Sequence, residues 1–256
     1  RQQWVAYLRS TRPGLAAVAA DTSRDEDDRI DADMVLAELD REIHTYDVLR
    51  SPERNPLFWT SLLANETVFL LVRDDLPLAE RVEHARLRAQ QLPRLTDQAQ
   101  QTLQATPPAL IAPELARLAA GQARASATFY RKGFPEALGH PDAALTATGT
   151  AVADAFDTLA VFLDDLAGRA TGDPRLGANY AETFRLGTRI TEPVDQVLAR
   201  AERDLVRTRH DAATYGRTVW AALMNGEDAP SDDTALLRRL FERVAADHDT
   251  NLDEYG

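Results

Sequence analysis

Apolar side chains recur along this chain of 256 residues at spacings of three, four and seven, the period of helices that bury one face. Over 142–169 the stripe is Leu145, Val152, Phe156, Leu159, Leu163 and Leu166. Over 193–224 it runs through Val194, Val197, Ala201, Leu205, Ala212, Tyr215, Val219 and Leu223. After Ser231 come Leu236, Leu237, Leu240, Phe241 and Val244. Each stripe is wide enough for a globular core rather than the narrow seam of a two-stranded coiled coil. Strand signals are nearly absent: there is no sustained period-two alternation, and Asn225-Gly226 is the one hairpin-type dipeptide.

Proline, glycine and capping residues cut the remaining pattern into elements. A short amphipathic start spans 4–8, and 21–28 reads as a charged loop. Asp31 or Asp33 then caps a helix to about Arg50 that carries Met34, Leu36, Leu39, Ile43 and Tyr46. Ser51-Pro52 breaks it. Asn55-Pro56, a cap followed by proline in the first turn, opens a helix to about Arg73. Pro77 opens the next, Pro93 ends it, a shorter helix reaches about Ala105, and Pro113-Glu114 starts one towards Arg131. Short loops make consecutive helices antiparallel neighbours. The prediction is an all-α fold, a multi-helix antiparallel bundle of about nine helices with no sheet. One helical region covers 1–256, and the Pro- and Gly-rich break at 133–141 divides it into two packed sub-bundles, 1–132 and 141–256.

Composition narrows the function classes. A chain of this length buries roughly 70–75% of its unfolded surface, enough for a core without staples. Lys and Arg number 29 against 41 Asp and Glu, a net charge of -12. That excess argues against a nucleic-acid groove or an anionic membrane surface as partner. The absence of cysteine excludes disulfides, thiolate metal sites and a cysteine nucleophile. No apolar run reaches the roughly 18–20 residues of a membrane helix, and 151–170 carries Asp154, Asp157, Asp164, Asp165 and Arg169. The expectation is a soluble, cytoplasmic chain. Arg1 at the start and the unfinished pattern at 251–256 are expected of a piece of a longer protein.

Candidate chemistry is sparse. His44, His84, His140, His210 and His248 include no pair four apart, and none follows a Glu by three residues, so neither zinc nor di-iron helix motifs form. The acidic stretches 25–28 and 31–33 lack the glycine and terminal Glu of a calcium loop. No serine sits in Gly-x-Ser-x-Gly, and Gly168, Gly172 and Gly177 are not spaced as a phosphate loop. Arg200, Arg203, Arg207 and Arg209 share a helix with Glu202 and Asp204, and Arg200 and Asp204 are one turn apart, a spacing for an ion pair. No catalytic, cofactor-binding or metal-ligating residue is assigned. Glu66 stands out: Leu62, Leu63, Phe69 and Leu70 lie at i-4, i-3, i+3 and i+4. A carboxylate there must be paired, protonated or turned to a water-filled cleft, because an unpaired buried charge costs several kcal/mol or more. It is a candidate cleft carboxylate with an arginine partner, against an interhelical salt bridge or a residue at the polar margin with Asn65 and Thr67.

Several segments carry a resemblance: Asn55-Pro56-Leu57 with its helix, Pro77-Leu-Ala-Glu-Arg81, and 86–95 from Arg86 through Leu92-Pro93 to Leu95. To these add the Ala-rich 151–166 with Phe156 and Phe162-Leu163, the turn from Pro174 to Gly177, and the helix after Pro193. Over roughly 30–251 the chain resembles the amino-terminal half of the bacterial domain-of-unknown-function family 885. The resemblance implies a helical zinc metallopeptidase-like protein whose His-Glu-x-x-x-Gly-His-type metal motif lies in a carboxy-terminal half. No such motif occurs in this chain, so no ligand or base is carried over. The implied role is a non-catalytic substrate-cleft wall, with zinc expected only in the missing carboxy-terminal half and a peptide-like substrate. The implied partners are that missing half or a second copy meeting an exposed apolar face. The alternative is a standalone helical protein-interaction or ligand-binding module.

Overall fold

A computed structural model of the chain describes residues 2–72, 75–139 and 143–246. Arg73, His140, Pro141, Asp142, His248 and the stretch 251–256, which carry expectations above, lie outside the described residues. Those described contain helices and no strand. No helix among them is long and apolar enough to cross a membrane. The chain divides into two compact units, Arg1–Arg189 and Ile190–Gly256.

In the first unit α1 (Gln2–Ala20) pairs with α2 (Glu26–Ile43). Arg12 bonds Asp40 at 2.6 Å and Arg9 bonds Asp47 at 2.6 Å across the pair. The stretch 25–28 is no loop. Asp25 caps α2 by accepting the Asp27 N–H at 2.9 Å, and Glu26, Asp27 and Asp28 fill the first turn. Negative charge is stabilised there by the unpaired N–H groups of the helix start, so the helix begins earlier than Asp31.

α2 continues through a π-turn, His44–Val48, and one turn of helix follows, α3 (Ser51–Arg54). α4 (Pro56–Asn65) begins as its sequence predicts, with the Asn55 side chain accepting the Leu57 N–H at 3.1 Å. The helix expected to reach Arg73 is interrupted at Glu66 and Thr67, and α5 (Val68–Val72) restarts it. α6 (Leu78–Ala89) and α7 (Leu92–Gln104) follow, with Pro93 inside the first turn of α7, where its missing N–H costs nothing.

The core of this unit lies between α8 (Pro113–Thr128) and α10 (Ala143–Arg169), linked by a π-turn, Phe129–Gly133, and the short α9 (Phe134–Ala137). Ala116, Ala119, Ala120, Ala123 and Ala127 line the buried face of α8 and let α10 approach closely. At Gly149 of α10 a Cβ would collide with the Tyr130 carbonyl oxygen. Phe156 stacks on Tyr130 with centroids 5.6 Å apart. The buried apolar residues of α8 and α10 belong to one core, and the boundary between the two units lies at 189–190. α11 (Tyr180–Thr188) ends the unit.

The second unit packs the second half of α12 (Val194–Leu223) against α13 (Asp233–Ala246) around Ala213, Trp220, Met224, Leu236 and Leu240. Ten described helices have nine residues or more, and α11 is the one beyond the predicted set. It buries no residue fully, so it has no wide apolar stripe to betray it.

Candidate functional site

The break between α4 and α5 opens one side of the first unit. An open cleft of about 770 Å³ lies there, bounded by α2, the α3 turn, α4, α5 and α6. Its apolar lining is Leu57, Phe58, Leu62 and Phe69, and its charged groups are Glu66, Arg41 and Arg88. Ser51, Asn55, Ser61 and Asn65 add hydroxyls and amides.

Glu66 follows the last residue of α4, and its side chain is 33% exposed. Of its four apolar neighbours, Leu63 and Leu70 are buried, while Leu62 and Phe69 are exposed. The interruption of the helix sets the carboxylate at the boundary between core and cleft. Its oxygen lies 3.6 Å from Arg88 of α6, and the same guanidinium donates to the Glu66 carbonyl at 3.3 Å. That second bond satisfies one of the carbonyls a helix end leaves open. Sequence periodicity held no sign of Arg88, which stands 22 residues away and meets Glu66 only through the packing of α6 on α5. Arg41 is held by an ion pair with Glu38 on its own helix.

Behind the cleft the wall is tied to α8. The Thr60 hydroxyl donates to the Gln122 side-chain oxygen at 2.7 Å. The hydroxyls of Thr67 and Tyr130, both buried, lie 2.8 Å apart. Burial pushes the Tyr130 phenol up to about 12; the Thr67 hydrogen bond opposes the shift and the charge of Glu66 adds to it.

The other candidates are scattered. His44 is buried, its Nε2 2.9 Å from the Thr183 hydroxyl, a bond between the end of α2 and α11. His84 and His210 are exposed. Among the described residues no group of three or more His, Asp or Glu side chains is arranged to hold a metal ion. On α12 the pairing differs from expectation: Arg200 meets Glu192, and Asp204 bonds Arg207 at 2.9 Å. The longer reach to Glu192 uses the acidic residue just before the helix, and Asp204 is satisfied within its own turn.

The comparisons with known proteins agree with this architecture. The fold is similar to that of a solved structure from Shewanella oneidensis, described as "a putative lipoprotein of unknown function". The TM-score is 0.70 at 16% identity, over 99% of this chain and 47% of that one. This chain thus spans about half the length of that structure, and at such identity the likeness concerns the fold alone. No curated protein matches the chain. The model of a family of bacterial proteins of unknown function, DUF885, matches residues 1–254. A match over nearly the whole chain, on a helical scaffold shared with a longer protein, places the chain in DUF885.

Proposed function

We propose that this chain forms the non-catalytic helical wall of a substrate cleft in a metallopeptidase-type protein, and that the cleft holds a peptide-like substrate. The observation that carries the reading is the Glu66–Arg88 pair at the edge of the α4–α5 cleft, beside exposed Leu62 and Phe69. A peptide offers amide groups and apolar side chains in alternation. The cleft answers with donors and acceptors from Arg88, Asn65 and Ser61 and apolar surface from Phe58 and Phe69. No chemical step is part of this proposal for the residues that line the cleft. Their work is binding and orientation, for which a few well-placed polar groups on an apolar lining suffice.

Calorimetric titration with a set of apolar pentapeptides tests the reading. Binding is expected, and Arg88→Ala is expected to weaken it about tenfold, the scale of one charge-assisted hydrogen bond. Peptide hydrolysis by this chain alone, absence of binding, or full affinity in a folded Arg88→Ala protein would each overturn it.

A second reading, a helical interaction module, draws on α12. Its first half buries no residue, and Leu198, Leu205 and Val206 are 57%, 52% and 70% exposed. Exposed apolar positions aligned on one helix mark association surfaces. Sedimentation is expected to show a concentration-dependent larger species that Leu198→Glu with Leu205→Glu abolishes; a monomer at every concentration would remove this reading.

A further inference from the structure

The α3 turn that borders the cleft also borders a second, smaller pocket of about 290 Å³, with Ser51 and Asn55 contributing to both. Its remaining walls come from the start of α8 and from the loop 173–176 after α10. Arg54 lines this pocket, and its Nε is buried without a hydrogen-bond partner. Its guanidinium joins no ion pair among the described residues, in a protein whose acidic side chains outnumber the basic ones by 41 to 29. Other arginines of the same unit reach carboxylates, as Arg9, Arg12, Arg124 and Arg131 do.

The pocket is rich in donors and short of acceptors. Arg54 and Arg175 bring guanidinium groups, Asn179 an amide and Ser51 a hydroxyl. The Asn55 side-chain oxygen is committed to capping α4, which leaves its amide nitrogen to face a ligand. The carboxylate in the lining, Asp173, already accepts the Arg175 N–H at 2.9 Å and lies 3.6 Å from the Arg175 guanidinium. Leu49, Leu115 and Leu176 complete the walls. A buried guanidinium N–H without an acceptor is costly, and a carboxylate matches its planar fork with two parallel hydrogen bonds. The volume stands at the lower end of ligand pockets, which start at roughly 300 Å³, so it suits one compact group.

The geometry points to a binding site for a small carboxylate carried on an apolar group, with Arg54 as its anion partner. A free small acid and the carboxy terminus of a peptide share this chemistry. The site is distinct from the Glu66–Arg88 edge of the cleft, so its failure leaves the cleft reading standing, and the converse holds.

The test is a titration, followed by NMR, with N-acetyl-leucine, N-acetyl-leucinamide and a tetrapeptide ending in leucine. The acid is expected to bind at least about tenfold more tightly than the amide, as expected when a charge-assisted pair is lost. Arg54→Gln is expected to bring the acid down to the level of the amide, and Arg54→Lys to fall between, because an ammonium lacks the fork. A tetrapeptide that outbinds the acid identifies a peptide terminus as the source; a tetrapeptide that binds more weakly identifies a free acid. Equal binding of acid and amide, no binding of any probe, or unchanged acid binding in Arg54→Gln would overturn the assignment. Should Arg54→Gln fail to fold, the acid–amide comparison on the unaltered protein decides it.

Discussion

Replacing Phe156 by alanine is expected to lower the unfolding free energy of the first unit by about 3–5 kcal/mol, the range for removing a buried aromatic ring. Phe156 is fully buried near the middle of α10 and stacks on Tyr130, which touches Phe129 and Phe134 in turn. The neighbours cannot close the gap. On the α8 side the facing residues are alanines, with no side-chain length to extend, and Gly149 already brings α10 against the Tyr130 backbone. The lost transfer energy is therefore joined by a cavity term. Urea unfolding followed by circular dichroism measures the effect, and a loss below about 1 kcal/mol would show that the α8–α10 contact is not the core.

The second large effect is a loss of stability in alkali. The Tyr130 phenol has its pKa raised from 10.0 to about 12, chiefly by burial. Below pH 10 the group is neutral in both states and its contribution is fully present. As pH rises from 10 towards about 12, the unfolded chain gives up this proton while the native state keeps it. The native state then binds more protons, so stability falls with rising pH, by about 2–3 kcal/mol at roughly 1.4 kcal/mol per pH unit. Tyr130→Phe is expected to abolish this part of the pH dependence. At neutral pH the same change costs about 1–3 kcal/mol, because the buried Thr67 hydroxyl loses its partner. Unfolding free energies of both proteins across the alkaline range measure it; parallel curves would refute the assignment to Tyr130.

What the sequence made legible was local. Asn55-Pro56 marks the start of α4 because cap and proline act on the backbone within one turn. The stripes of 142–169 and of the second half of α12 read correctly because a helix that enters a core must carry an apolar face. α11 escaped because it buries no residue fully and so needs no such face. The interruption at Glu66 and Thr67 escaped because neither proline nor glycine marks it. Glu66 was conspicuous as an acid among apolar neighbours, yet Arg88 was not, since their meeting depends on how α6 packs. Arg54 left no trace at all, because the lack of a partner is a property of the folded surroundings and not of any spacing.

The Gly149 contact and the hydroxyl pair of Thr67 and Tyr130 have one consequence for recognition. They tie the strip of chain that carries Glu66 to the π-turn at Tyr130, and that turn to α10. Part of the conformational entropy of that strip is then spent when the polypeptide folds. The guest proposed for the cleft would meet a wall set in advance, and more of its contact energy would survive as affinity.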